Sequence, residues 1–495
     1  MLKLSHLILE NKNKVILVII LAMYLLVRLP GLGYDLSNSD AARWHRRSER
    51  FLDALKARDL ASTYQHYQPG VTLMWVNSIV KYAAFKYQLT YTKEPKTLEN
   101  ADYFPIIDSI SRVVLVSILM VLLVIQVYLV SRIFNPKIAL LYGFIVSVEP
   151  YLAGIDRWFH LTSLETYFAF TSFLLLLYWW KTSTNKYIFL SALFLALSSL
   201  SKITSLGLLP LFMGLIIFRS FASRNYKNLV LFVVTYCFSF FMLFPAMYTN
   251  FAGVLTELFS AITSAVDNSA LSSPYINNVY APFFYVLIVL YKFSPITLIM
   301  FIGGLLSLKK LVIKHPTTLL VLLYAAYYYV FLSVPDKKID RYVIVLFLPI
   351  ILLAATWLAQ LSKRLILFWL SLSFLFISWV TYIYFPVYSA YYSPLFGGMS
   401  RALDLQVYDN SGEYYAQSAF YLNSLGRSNY TFIPYNIESF SYYYKGKLQR
   451  TFDDKTNYVV TSIDHVLEVS KICPELTKAF GFKLDNVVFV YKCYH

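Results

Sequence analysis

The sequence predicts a polytopic α-helical membrane protein with about eleven transmembrane helices, followed by a small C-terminal α/β domain on the outer side. Three observations carry this. Of 495 residues, 58% are apolar and only 14% are charged, against roughly 25% charged in a soluble domain. The mean hydropathy is +0.56. Apolar runs such as Val113–Val130 and Tyr342–Leu358 approach the roughly 20 residues that cross a bilayer. A soluble enzyme and a disordered chain are both excluded. The net charge of +16 sits mostly between apolar runs, which points to membrane orientation rather than to a nucleic-acid surface.

The spans are expected at 14–33, 108–131, 137–155, 163–180, 187–201, 203–218, 228–247, 283–306, 317–334, 341–360 and 365–384. The first run ends in Arg28-Leu29-Pro30-Gly31 with no small-residue cleavage site, so it is expected to be a span and not a removed leader. One set of connecting segments holds fifteen Lys and Arg, and the opposite short loops hold five. The first set is therefore expected inside, which puts the N-terminus in the cytoplasm and the C-terminus outside. The stretch 187–218 has basic clusters at both ends and Lys202 in its middle. One straight helix there would run about 48 Å, too long for a hydrocarbon core of about 30 Å. It is expected to fold as a hairpin with Lys202 near the outer tip.

These spans place residues 1–384 in a transmembrane domain, with large outer segments at 34–107 and 248–282, and residues 385–495 in an extracytoplasmic domain. The alternation at Asn486–Tyr491 signals a strand. Cys473 and Cys493 are the only cysteines of that tail and are expected to pair, in an outer compartment where disulfides persist. Cys473-Pro474 is expected to open a short helix. No P-loop, HExxH, GxSxG or DxD pattern occurs. No metal site is read from the sequence and no cofactor is fixed by it; a divalent metal stays open.

Five clusters could carry chemistry. In the first, Ser39-Asp40-Ala41-Ala42-Arg43-Trp44 opens an amphipathic helix, with Trp44, Phe51, Leu52 and Leu55 on one face and arginines on the other. It is expected to lie on the membrane surface. Asp40 reads equally as a helix cap or as a general base with Arg43 one turn away. The second, Tyr67-Gln68-Pro69-Gly70-Val71-Thr72-Leu73-Met74-Trp75, is a turn before an interfacial or re-entrant helix. The third runs from Glu149 through Asp156-Arg157-Trp158-Phe159-His160 to Glu165, and packs four charges and a histidine between apolar runs. Ionisable groups at that depth usually line a cavity, although a plain Asp156–Arg157 pair is the simpler account. The fourth is Ser199-Leu200-Ser201-Lys202, where the lysine either snorkels or binds a phosphate. The fifth is Pro335-Asp336-Lys337-Lys338-Ile339-Asp340-Arg341-Tyr342. Arg157, Lys202, Lys338 and Arg341 all lie on the outer side against the positive-inside rule, as cations facing a lipid phosphate would.

These motifs, in their order, resemble the GT-C glycosyltransferases, which take a sugar from a polyprenyl-phosphate carrier. The resemblance is to the dolichyl-phosphate-mannose–protein mannosyltransferase branch, with its lipid A aminoarabinose transferase relatives. It runs from Arg28-Leu29-Pro30 to Pro386-Val387-Tyr388-Ser389-Ala390-Tyr391-Tyr392-Ser393-Pro394. It implies a GT-C fold and a hexosyl- or mannosyl-type transfer, inverting, to a protein, lipid or glycan acceptor at the outer face of the plasma membrane. It also implies Asp40 as the base. Arg43, Glu149, Glu165 and Gln68 would support it, and Arg157, His160, Lys202, Lys338 and Arg341 would hold the lipid phosphate. The family's Asp-Glu pair is Asp40-Ala41 here, its His before Pro-Gly is Gln68, its Ser-Arg pair is Asp156-Arg157, and an Asp two residues past His160 is Thr162. These departures keep open a non-catalytic relative or a lipid-linked-sugar transporter. A transporter would show inverted repeats with helices broken at mid-membrane, whereas the apolar segments here break near the outer face.

Overall fold

The computed structural model describes residues 2–91, 96–221, 224, 226–267, 283–335 and 338–494. Residues 268–282 of the second outer segment and Asp336-Lys337 of the fifth cluster lie outside that set. The helices run α1 (Leu2–Arg28), α2 (Ser39–Ala57), α3 (Val71–Tyr91), α4 (Phe104–Ile133), α5 (Pro136–Val148), α6 (Pro150–Asp156), α7 (Leu161–Thr182), α8 (Asn185–Ser201), α9 (Leu209–Phe221), α10 (Lys227–Leu243), α11 (Phe251–Asp267), α12 (Phe284–Lys292), α13 (Pro295–Leu306), α14 (Leu308–Lys314), α15 (Thr317–Ser333), α16 (Phe347–Leu358) and α17 (Lys363–Tyr384).

Helix occurs at each of the eleven expected ranges, but fewer elements are straight spans. Among the described residues, five helical stretches are by themselves long and apolar enough to cross a bilayer: Phe104–Ile133, Leu161–Thr182, Ile203–Phe221, Asp340–Leu358 and Lys363–Tyr384. Counting two bent pairs as one span each raises that to seven. The expected number of eleven is thus not reproduced by length and composition, because prolines and a lysine cut the remaining runs. Pro150 follows a bend of 70° between α5 and α6, since its ring removes a donor and clashes with the preceding turn. Pro295 opens α13 after a break at Phe293-Ser294, so the expected span 283–306 is two helices. The chain is an integral membrane protein with several interrupted helices.

The 187–218 stretch does break at Lys202, which is extended with φ −152° and ψ 135°, and a 3-10 turn over Ile203–Leu208 follows. It is not a tight hairpin, however, since α8 packs mainly on α7 and α10. The turn before α3 holds this break. Gln68 Oε1 accepts from the Ile203 N–H at 3.1 Å, the Gly70 N–H donates to the Ser201 carbonyl at 3.2 Å, and the Thr72 and Ser201 hydroxyls meet at 2.6 Å. Gly70 has φ +60°, and a Cβ there would lie 2.2 Å from the Trp44 ring. Both the left-handed backbone and the close approach therefore require glycine.

After α17 the chain forms α18 (Gly398–Asp404), α19 (Tyr415–Ser424), β1 (Tyr430–Phe432), α20 (Ile437–Ser441), β2 (Lys447–Gln449), β3 (Tyr458–Ser462), α21 (Val466–Val469), β4 (Glu475–Gly481) and β5 (Asn486–Lys492). The sheet order is β2-β1-β3-β5-β4. β1 lies parallel to β2 and β3, and β5 is antiparallel to β3 and β4. Cys473 and Cys493 are bonded, with Cα atoms 4.6 Å apart. Cys473-Pro474 leads into β4 rather than opening a helix, and the short α21 precedes it.

This tail sits on α2. The Ser39 N–H donates to the Ser411 carbonyl at 2.9 Å, and the Tyr414 N–H donates to Asp35 Oδ2 at 3.0 Å. The buried face of α2 is Ala41, Ala42, Trp44, His45, Ser48, Phe51 and Ala54, while Leu52 and Leu55 are only half-buried. The helix expected at the membrane surface also packs against α3, α4 and the tail.

Candidate active site

Asp40 stands in the first turn of α2, but it is not the cap. Asn38 caps the helix, its side chain accepting from the Asp40 N–H at 2.8 Å. That leaves the Asp40 carboxylate to face the space between α2, the start of the Asp340–Leu346 3-10 turn and the tail. Arg341 donates Nη2 to Asp40 Oδ2 at 3.0 Å across 301 positions of sequence. Arg43 reaches Oδ1 with Nη1 at 3.3 Å, and His160 Nε2 lies 3.8 Å from Oδ2. The Asp40 side chain is 28% accessible, whereas Arg341 is at 15%. Burial pushes the Asp40 carboxyl up, but Arg341, then His160, Arg43 and Arg47, overcome it and hold the group below its usual range.

His160 is oriented from behind. Its Nδ1 accepts from the Thr162 N–H at 3.3 Å and pairs with the Thr162 hydroxyl at 2.9 Å, capping α7. With Nδ1 accepting, a neutral ring carries its proton on Nε2, toward Asp40. Burial first, and then the Arg341 charge, push the imidazole well below its usual range, so it is neutral at pH 7.

Lys202 is brought to the same region through Tyr342. Its ammonium sits 3.8 Å from the centroid of the Tyr342 ring, next in sequence to Arg341, and 3.4 Å from Glu165 Oε2. It is buried, so it does not snorkel to the headgroups. Glu165, expected beside Asp40, is the partner of Lys202 and also accepts from the hydroxyls of Thr204, Ser205 and Tyr328. Gln68 supports the site at one remove by pinning the Lys202 break.

Three expected site residues are committed elsewhere. Glu149 caps α13, accepting from the Ser294 N–H at 2.7 Å and the Thr297 hydroxyl at 2.6 Å. Arg157 donates to the Arg28 carbonyl at 2.7 Å, tying its loop to the end of α1. Lys338 donates to the carbonyls of Ser333 and Pro335 at the end of α15, where the helix dipole favours a cation. Nor does Asp156 pair with Arg157. Its partner is Arg28, at 2.9 Å and fully buried.

The tail adds residues that sequence reasoning missed. Glu438 pairs with Arg43 Nε at 3.1 Å. Ser411 Oγ lies 3.4 Å and Asp409 Oδ2 4.0 Å from Arg341 Nη1. The polar turn Asp409-Asn410-Ser411-Gly412 was the available signal, but nothing in it points to α2. Among the described residues, no three His, Cys, Asp or Glu side chains gather as a metal site. The neighbours of Asp40 are guanidinium groups and an imidazole, a poor seat for a cation.

This arrangement, with broken helices and charged groups meeting beneath the C-terminal domain, is similar in fold to two solved structures. The comparison structures are ArnT from Cupriavidus metallidurans bound to undecaprenyl phosphate (TM-score 0.52, 12% identity, 96% of this chain and 97% of that one) and the apo oligosaccharyltransferase of Archaeoglobus fulgidus (TM-score 0.52, 12% identity, 92% and 70%). At these identities the likeness is one of fold. Neither protein-family models nor curated proteins returned a match.

Proposed function

We propose that the protein is a membrane glycosyltransferase that moves a sugar from a polyprenyl-phosphate donor to an acceptor at the outer face, inverting the anomeric centre. The observation that carries this reading is the accessible Asp40 carboxylate set among Arg341, Arg43 and His160, with Lys202 one residue removed along the Tyr342 ring. A base for the acceptor and cations for a leaving phosphate are thereby adjacent. The ArnT structure, which holds undecaprenyl phosphate in the same fold, supports the donor class.

In the reaction, the acceptor hydroxyl or amine forms a bond to the anomeric carbon and Asp40 takes its proton. The bond from that carbon to the phosphate oxygen breaks, and the electron pair leaves on the carrier phosphate. Arg341 and Lys202 stabilise that charge in a low-dielectric setting. While paired with Arg341, Asp40 is a weak base. A donor phosphate that draws Arg341 toward itself makes the carboxylate more basic as the substrate arrives. The sugar is read as a hexose of the mannosyl type, and the acceptor as a protein, lipid or glycan.

Purified protein in lipid nanodiscs, given a polyprenyl-phosphate hexose and a candidate acceptor, tests this. Asp40→Asn is expected to cut turnover by roughly 10²–10⁴-fold while the protein still folds; equal turnover sinks the base assignment. A wild type that neither binds polyprenyl phosphate nor turns over favours the non-catalytic relative. The N-inside, C-outside orientation is checked with a reporter active only in the cytoplasm, fused after residue 495, which is expected to be silent.

A further inference from the structure

Arg341 is held on two sides, and only one of them belongs to the base. Its Nη2 is on Asp40 at 3.0 Å. Its Nη1 faces the tail, 3.4 Å from the Ser411 hydroxyl and 4.0 Å from Asp409. Its Nε–H is buried and has no hydrogen-bond partner among the described residues. The guanidinium therefore has five N–H groups but only one short ionic contact. Compare Arg28, which spends Nε on Asp156 and both terminal nitrogens on carbonyls at 3.0 Å.

Asp409 is equally unsettled. Its Oδ2 accepts from Ser411 Oγ at 3.2 Å, and its backbone N–H donates to the Tyr392 hydroxyl at 3.1 Å, which fixes the loop. Yet the side chain stays 41% accessible beside the same guanidinium that Asp40 holds. A carboxylate at 4.0 Å from a guanidinium that has spare donors is close enough to neutralise it in part and loose enough to be displaced.

We propose that Asp409 is a resident counter-anion for Arg341: it occupies the arginine's second edge when the lipid phosphate is away, gives that edge up when the phosphate binds, and so sets the affinity for the carrier. It is a positioning residue that acts through Arg341. This rests on the reading of Arg341 as a phosphate ligand. It gives the tail a role in the reaction cycle, because the polyprenyl phosphate left after transfer must leave before a new donor enters, and a competing carboxylate shortens its stay.

The test is equilibrium binding of sugar-free polyprenyl phosphate to the full-length protein in nanodiscs made of zwitterionic lipid. Asp409→Asn keeps the shape and removes the competing charge, so affinity is expected to rise at least threefold. Damage to the fold would lower it. Asp409→Glu is expected to restore the wild-type value. Ser411→Ala, which removes the neutral contact but keeps the charge, is expected to stay within twofold and serves as the loop control. Arg341→Met is expected to weaken binding at least tenfold. If Arg341→Met binds as wild type does, the phosphate reading itself fails. If Arg341→Met weakens binding while Asp409→Asn leaves it unchanged or lowers it, only the counter-anion proposal is overturned. Should Asp409→Asn not fold, Asp409→Ser carries the same expectation of tighter binding.

Discussion

Two buried or half-buried arginine–aspartate pairs make opposite use of the same chemistry. Arg28 and Asp156 are 2.9 Å apart and fully buried. Every arm of that arginine is used, and the aspartate also accepts from Tyr24, Tyr167 and Ser163. Arg341 and Asp40 are 3.0 Å apart, yet both are partly accessible and the arginine's Nε–H has no partner among the described residues. A saturated buried pair has nothing left to offer a ligand and serves to lock α1 to α6 and α7. An unsaturated pair that is partly open to solvent can trade partners. Saturation, rather than residue type, separates structure from chemistry here.

The comparison breaks first at Arg28. Arg28→Met leaves Asp156 charged and uncompensated, and is expected to cost about 3–5 kcal/mol; Arg341→Met is expected to cost about 1 kcal/mol. Denaturation in detergent measures both, and equal losses would erase the distinction. Next is Gly70→Ala. Its left-handed backbone alone costs roughly 1–2 kcal/mol, and the added Cβ would drive Trp44 away from the turn that pins Lys202. Loss of stability together with weaker carrier binding is expected; a change in stability alone would detach that turn from the site.

A third measurement uses pH. The folded-state pKa of Asp40 lies below its unfolded value of about 3.9, because the surrounding cations outweigh burial. Its contribution to stability is therefore complete above about pH 3.9 and disappears as pH falls through the lower folded value. The stability difference between wild type and Asp40→Asn should shrink across that acidic window. A constant difference would mean that the ion pair contributes nothing. The smallest effect belongs to Glu438→Gln. Arg43 in that pair is largely exposed, so about 0.5 kcal/mol or less is expected, vanishing in high salt. A larger loss would show that the tail is held by this contact rather than by the backbone bonds at Ser39 and Tyr414.

Sequence reasoning reached Asp40, Arg43, His160, Lys202 and Arg341 because cations and a carboxylate beside apolar runs, on the side where cations are scarce, are conspicuous in a linear reading. It located the break at Lys202 for a related reason, since a charge interrupts an apolar run locally, whereas the bend at Pro150 falls inside the single span expected at 137–155. It failed wherever a charged group had to be matched to a partner. Asp156 sits next to Arg157 in sequence but bonds Arg28, because the two neighbours diverge at the end of α6. Glu165 and Glu149, read as reserve carboxylates for Asp40, are consumed by Lys202 and by the α13 cap.

Composition, apolar run length and local interruptions thus determined by themselves that this is a membrane protein, where its helices lie and which ionisable residues stand at the ends of its apolar runs. Only the tertiary structure decided that Asn38 and not Asp40 caps α2, that Arg341 crosses to Asp40, and that Asp409, Ser411 and Glu438 descend from the tail onto the same space. The physical reason is that helix periodicity and helix breaks are written within a few consecutive residues. A partner 301 positions away is set by how helices and tail pack, and that leaves no periodic trace along the chain.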